Sequence, residues 1–284
     1  VMKQVEKIIV AGAGVMGAGI AQVCAMHGYK VTLYDISQSG LDKGKASIEK
    51  NLNKAIQIGK ATEEIKETAI ANIQYEIEVA NLKGDLVIEA VIEKLEIKAS
   101  LFNTLLDQNP DIILATNTSS IPITKISAAV KSPKQVVGIH FFNPAHIMKL
   151  VEVIQGAHTP VELKDWGVEF VKSVGKTPIV AKDAPGFIVN RVARHFYVES
   201  LKVLEDNVAT HADIDDLMRS SGFRMGAFQL MDLIGVETNL KVTQSMYALF
   251  NYDEKFRPSR IQQQKVDAGF WGRKSGKGFY DYEA

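Results

Sequence analysis

"KIIVAGAGVMGAGIAQVCAMHGYKVTLYD", residues 7–35, decides the fold. It opens on a short apolar run ending in glycine, the pattern of a strand buried on both faces of a parallel sheet. An apolar, alanine-rich stretch over 15–28 follows, read as a helix closed by Gly28 at its C-terminal cap. "KVTLYD" (30–35) is a second strand. Strand, helix and strand in this order form a parallel βαβ unit. Gly12, Gly14 and Gly17 complete the pattern G-x-G-x-x-G inside it. The first glycine permits the tight turn and the second lets backbone approach a pyrophosphate. The third lets helix and strand pack closely, and the helix N-terminus faces the phosphates. Val15 and Met16, between the last two glycines, are counted with this cofactor turn. Asp35 ends the second strand, where a carboxylate accepts both ribose hydroxyls and repels a 2′-phosphate. Ile36 and Ser37 follow it rather than arginines, so NAD is expected over NADP. Taken alone, the turn also fits a flavin or S-adenosylmethionine site, or no ligand at all.

Outward from this unit the alternation continues. "DLVIEA" (85–90), "DIILATN" (111–117) and "VVGIHF" (136–141) read as strands, with helical stretches between them such as 94–108. Such alternation implies a doubly wound α/β sheet. "KLVEVI" (149–154) follows across a loop too short for a parallel crossover, so it returns antiparallel or re-enters sharply. "TPIVA" (177–181) adds an edge strand. After "KDAPGF" (182–187) the pattern becomes helical, over 188–205, near 211–219 and over 227–250, before a Gly- and Lys-rich aromatic tail. The expected fold is a Rossmann-like domain over 1–182 followed by an all-α domain over 183–284.

The bulk numbers narrow the function classes. The chain has 284 residues, of which 46% are hydrophobic and 23% charged, the composition of a soluble globular protein. Lys+Arg and Asp+Glu both number 33, so the basic excess of a nucleic-acid binder is missing. No apolar stretch is long enough to span a membrane. A strand beginning about six residues in leaves no room for a signal peptide. The single cysteine, Cys24, permits no internal disulfide and points to a reducing compartment, the cytoplasm. No metal site is expected.

Two titratable residues interrupt apolar strands: His140 in "VVGIHF" and Glu152 in "KLVEVI". Buried polar groups are costly unless satisfied. His140 falls near the carboxyl end of its strand, where open α/β sheets bind ligands. By themselves the two residues read as a core histidine and a surface glutamate. Beside a nicotinamide site they read as a dyad, the carboxylate fixing the tautomer and supporting a general base. "ATNTSS" (115–120) ends another strand at the same edge and offers Asn117, Thr118, Ser119 and Ser120, although a serine there can equally cap the next helix. Asn143 and Asn190 are similar candidates. Over 40–60, Leu41, Ile48, Leu52, Ala55 and Ile56 share one helical face. Lys43, Lys50 and Lys54 line the opposite face, either merely solvated or set to meet phosphates of a large anionic substrate.

In order along the chain, "VAGAGVMGAGIAQVCAMHG", "LVIEAVIE", "ATNTSS", "GIHFFNPAHIMKLVEVI", "KDAPGFIVNR" and "GRKSGKGFYDY" resemble the short-chain L-3-hydroxyacyl-CoA dehydrogenases, the bacterial 3-hydroxybutyryl-CoA dehydrogenases in particular. The resemblance covers essentially the whole chain. It implies an N-terminal NAD domain and a helical C-terminal domain that forms a homodimer. It also implies an acyl-CoA substrate, a catalytic histidine at His140 with its partner at Glu152, and substrate contacts at Ser119 and Asn190. Glu89, Lys94, Asn117 and Asn143 match positions near the cofactor, and Lys50 and Lys54 match lysines of the CoA end. Ala227 and Gln229 depart from the Pro and Glu common in the family. "GFRMG" (222–226) also resembles relatives acting on 3-hydroxyadipyl-CoA. A non-catalytic relative such as lens lambda-crystallin, or an NAD-sensing module, is the reading from other classes. Retention of His140, Glu152, Ser119 and Asn190 together speaks for the enzyme.

Overall fold

The computed structural model describes residues 4–282. Its first unit is built on eight strands: β1 (Lys7–Ala11), β2 (Lys30–Tyr34), β3 (Ile73–Glu76), β4 (Leu86–Glu89), β5 (Ile113–Thr116), β6 (Val136–Phe141), β7 (Leu150–Gln155) and β8 (Thr177–Lys182). They form one sheet in the order β3-β2-β1-β4-β5-β6-β7-β8. Every neighbouring pair is parallel except β6 and β7. The connection 142–149 is too short to carry a crossover, so β7 turns back along β6. β3 was not expected from the sequence: "IQYE" is a short, half-exposed edge strand with little apolar signal.

Alternation along each strand feeds two cores. Ile8 and Val10 of β1 pack with helices α1 (Val15–Met26), α2 (Gln38–Gln57) and α3 (Glu63–Ala71). Ile9 and Ala11 face α4 (Leu95–Gln108) and α5 (Ile123–Ala128) on the other side. A sixth helix, α6 (Val161–Ser173), lies on the first face with Val151 and Val153 of β7. α1 ends at Met26, and Gly28 follows in the left-handed region at φ 89°. In α2, Leu41, Ile48 and Leu52 are buried as expected, whereas Ala55 and Ile56 are only half-buried near its end.

The chain divides into two compact units between Phe187 and Ile188. The turn after β8 still belongs to the first unit. Asp183 accepts the backbone N–H groups of Ile123 (2.9 Å) and Thr124 (2.7 Å), capping α5, and Phe187 is buried in that unit's core.

The second unit holds α7 (Val189–Glu205), α8 (His211–Ser220), α9 (Ala227–Ile234), α10 (Val236–Leu249) and α11 (Arg260–Asp267). The single helix expected over 227–250 is two helices, broken at Gly235, whose φ of 107° no helix accommodates. α11 was not foreseen. Two buried aspartates organise this unit. Asp215 accepts from the N–H groups of Phe228 and Gln229 and from the Tyr280 hydroxyl. Asp232 accepts from the N–H groups of Phe279 and Tyr280 and from the Tyr282 hydroxyl. The tail 276–282 is thereby tied to this unit, with Gly278 and Phe279 buried in it. Ala227 is the first residue of α9, a position proline suits because its N–H has no helical partner.

Candidate active site

The glycine-rich turn joins β1 to α1. A Cβ at Gly12 would lie 2.5 Å from the Ala90 carbonyl oxygen, and one at Gly17 would lie 1.7 Å from that of Gly12. Both positions are therefore closed to side chains. At Gly14, the N-cap of α1, an added Cβ would meet nothing within 4 Å. No side chain caps α1, which leaves its first N–H groups without a side-chain acceptor, the arrangement that suits a phosphate. Val15, 70% exposed, and Met16 begin the helix beside this space. Asp35 sits at the end of β2 and accepts the Ala13 N–H at 2.8 Å and the Ser37 N–H at 3.0 Å. Its carboxylate thus ties the turn to the second strand and retains lone pairs for further donors. An open Gly14, an uncapped helix and a carboxylate at the second strand form a donor and acceptor set that fits a dinucleotide.

At the far side of the sheet's carboxyl edge, register sets His140 directly opposite Glu152. His140 Nδ1 and Glu152 Oε2 are 2.8 Å apart. Glu152 is fully buried, and the histidine ring packs against Phe142 and Phe187 with centroids 4.6 and 5.7 Å away. A carboxylate at Nδ1 fixes the N–H there and leaves Nε2 as the proton-exchanging atom. The water-poor surround strengthens the charge coupling whenever the ring is protonated. Paired strands make this geometry rigid.

The end of β5 supplies the next group. Asn117 Oδ1 accepts the Phe141 N–H at 2.8 Å, linking the exits of β5 and β6. Ser119 is half-buried, and among the described residues its hydroxyl has no hydrogen-bond partner. Neither serine caps α5, since Asp183 does so. Asn143 is exposed in the loop after β6, and Asn190 is half-buried at the start of α7, in the second unit.

Glu89 and Lys94, read as near the cofactor, sit in different surroundings. Glu89 is fully buried. It holds Lys98 at 2.7 Å, the Thr116 hydroxyl at 2.8 Å and the Val91 N–H at 2.8 Å. Burial lifts its carboxyl above the usual range even though Lys98 and the hydrogen bonds pull the other way. Lys94 is exposed at the N-cap of α4, and Lys98 is the lysine that the site buries, at 1% exposure. Lys98 also reaches Glu93 at 3.0 Å. Burial tends to raise the Glu93 carboxyl, but the Lys98 ammonium and the hydroxyls of Thr118 and Ser120 outweigh it and hold it low. Sequence reading passed over Glu93 and Lys98. The signal was present: Lys98 lies on the apolar stripe of α4 with Phe102 and Leu105, where a lysine needs a buried carboxylate.

Along α2, Lys50 and Lys54 are exposed and line one groove of about 560 Å³, together with Glu49, Asn51, Asn53 and Gln57.

The family described as "3-hydroxyacyl-CoA dehydrogenase, NAD binding domain" matches residues 7–184, and its "C-terminal domain" matches 186–282. A 3-hydroxyadipyl-CoA dehydrogenase of Escherichia coli is 45% identical over the whole chain, which spans 60% of that protein. A probable 3-hydroxybutyryl-CoA dehydrogenase of Deinococcus radiodurans is 41% identical over 97% of the chain and its own full length. Among solved structures, the (S)-3-hydroxybutyryl-CoA dehydrogenase of Ralstonia eutropha superposes with a TM-score of 0.93 at 37% identity, covering 99% of this chain and all of that one.

Proposed function

The chain belongs to the 3-hydroxyacyl-CoA dehydrogenase family, and we propose that it interconverts (S)-3-hydroxybutyryl-CoA, or another short 3-hydroxyacyl-CoA, with the corresponding 3-ketoacyl-CoA. The observation that carries this reading is the His140–Glu152 pair, 2.8 Å apart in paired strands at the sheet edge shared with the glycine-rich turn. Bound NAD supplies the hydride acceptor in one direction and, reduced, the donor in the other. His140 takes the proton from the 3-hydroxyl through Nε2, and Glu152 supports the imidazolium that results. In reverse, the imidazolium protonates the 3-keto oxygen. Ser119 offers its unengaged hydroxyl to the substrate oxygen, and Asn190 is carried over as a substrate contact from the family resemblance. Asn117 and Asn143 serve the cofactor side, with Asn117 holding the β5 and β6 exits in place. Lys50 and Lys54 take the phosphates of the CoA end in the α2 groove.

The helical unit has an apolar groove of about 590 Å³ lined by Val192, Phe196, Tyr197, Phe223, Arg224 and Leu230. We read it as part of the surface through which two copies pair, in the cytoplasm, where a single buried cysteine is at home. Sedimentation at micromolar concentration should give twice the chain mass, and a monomer would refute the pairing.

Loss of NADH absorbance with acetoacetyl-CoA tests the activity. Turnover is expected, whereas NADH binding without turnover would leave a sensor or structural relative. Running the assay across acyl lengths, with a 3-ketoadipyl thioester included, reads the acyl preference.

A further inference from the structure

Glu93 has no part in the chemistry above, yet it gathers five donor contacts at this edge of the sheet. Its Oε1 accepts the Thr118 hydroxyl, the backbone N–H groups of Ser119 and Ser120, each at 3.1 Å, and the Ser120 hydroxyl at 3.0 Å. Its Oε2 receives the Lys98 ammonium at 3.0 Å. Lys98 is anchored in turn on Glu89, which holds the Thr116 hydroxyl at the last residue of β5. One buried lysine and two glutamates therefore join the exits of β4 and β5, and the loop 117–121 is wrapped around a carboxylate. Ser119 lies within that loop. Its N–H is used on Glu93, while its hydroxyl is left without a partner among the described residues.

We propose that Glu93 is a positioning residue for the dehydrogenase reaction, holding the 118–120 loop so that the Ser119 hydroxyl is presented to the substrate oxygen. This rests on the reading of Ser119 as a substrate contact. A carboxylate is required because all five contacts are donors and only a group with acceptors on both oxygens can serve them. A glutamine of the same size must turn its NH₂ either toward the four loop donors or toward the Lys98 ammonium. The first arrangement turns donors on the loop and releases it; the second turns a donor on the Lys98 ammonium and unseats the side chain that holds the loop, with the volume kept in both.

A double-mutant cycle on kcat with acetoacetyl-CoA and NADH tests the idea. Ser119→Ala and Glu93→Gln should each lower kcat by about 10-fold or more, the scale of a hydrogen bond to a reacting or charged group. Combined, they should fall no more than about 3-fold below Ser119→Ala alone, because Glu93 acts through the hydroxyl that is already gone. A structural or cofactor-binding role predicts that the two losses multiply, and that result overturns the inference. So does a wild-type kcat for Glu93→Gln. If instead Ser119→Ala itself turns over at the wild-type rate, the underlying reading of Ser119 fails first. Should Glu93→Gln not fold, Thr118→Val removes one hydroxyl donor at nearly constant volume. Its loss in kcat should then vanish in the Ser119→Ala background, and persistence of that loss refutes the proposal.

Discussion

Alanine at Gly14 and alanine at Gly17 should fail in opposite ways. At Gly17 the new methyl would stand 1.7 Å from the Gly12 carbonyl oxygen and 2.9 Å from its carbon. Both atoms are backbone, so no rotamer relieves the overlap and the turn itself must move. Overpacking costs about 1–3 kcal/mol where side chains can yield. With backbone on both sides, about 3 kcal/mol is a reasonable lower figure, or roughly 6–12 °C in Tm for a domain of this size. At Gly14 the added methyl touches nothing, and φ −65° with ψ −175° is open to alanine. Gly14→Ala should therefore melt within about 2 °C of the wild type. The methyl nevertheless fills the space at the α1 N-terminus that a pyrophosphate needs. Losing one or two charge-assisted hydrogen bonds there should weaken NADH by about 10–100-fold. Thermal melts and NADH fluorescence titrations, run side by side, read both quantities. Wild-type NADH affinity in Gly14→Ala would show that the cofactor does not cross this turn. A wild-type Tm in Gly17→Ala would show that helix and turn are not packed as described.

Other substitutions probe the rest of the site. His140→Gln should lower kcat by about 100-fold or more with NADH affinity retained, and a near-wild-type rate would remove His140 from proton transfer. Glu152→Gln, which keeps the shape and discards the charge, should also lower kcat strongly while leaving the KM for NADH nearly unchanged. Asp35→Ala should weaken NADH, narrow its advantage over NADPH and lower Tm, because the Ala13 and Ser37 N–H groups lose their acceptor. Lys50→Ala with Lys54→Ala should raise KM for acetoacetyl-CoA several-fold with kcat kept, an effect that shrinks at high salt; an unchanged KM at low salt would leave the lysines merely solvated. Burial pushes the Cys24 thiol from 9.0 up to about 12. The folded chain keeps that proton while the unfolded chain releases it above about pH 9, so stability falls as pH rises through the window between these values. Between pH 8.5 and 10.5 the wild type should lose about 2 kcal/mol more than Cys24→Ala in denaturant titrations, and equal losses would refute the assignment.

What could be read from the sequence depended on how much of each signal was local. β1, α1 and β2 were legible because three glycines, an apolar run and Asp35 fall within one short stretch. β6 and β7 were legible because burial patterns flank His140 and Glu152 and the intervening loop is short. β3 was not, since an edge strand buries little and "IQYE" carries no apolar alternation. The break between α9 and α10 turned on one backbone angle at Gly235, and glycine alone does not specify it. Glu89 and Lys94 were placed by their likeness to a family pattern. The structure buries Glu89 beneath the site and puts Lys98, a turn further along α4, in contact with both glutamates. That network is a tertiary fact: Glu93 meets Ser119 and Ser120 only after β4 and β5 pair.

The tail of the helical unit sets an order of birth. Asp215 and Asp232 lie in α8 and α9, so they leave the ribosome before Phe279, Tyr280 and Tyr282, which satisfy them. Until those residues emerge, Asp232 waits without its donors, Asp215 lacks the Tyr280 hydroxyl, and the Phe279 place in the core stands vacant. The sheet has no such wait, because its last strand ends at Lys182. A translating ribosome thus releases a closed first unit well before the second can close. A nascent chain arrested ahead of residue 276 should carry a finished sheet and a helical unit still open to proteases.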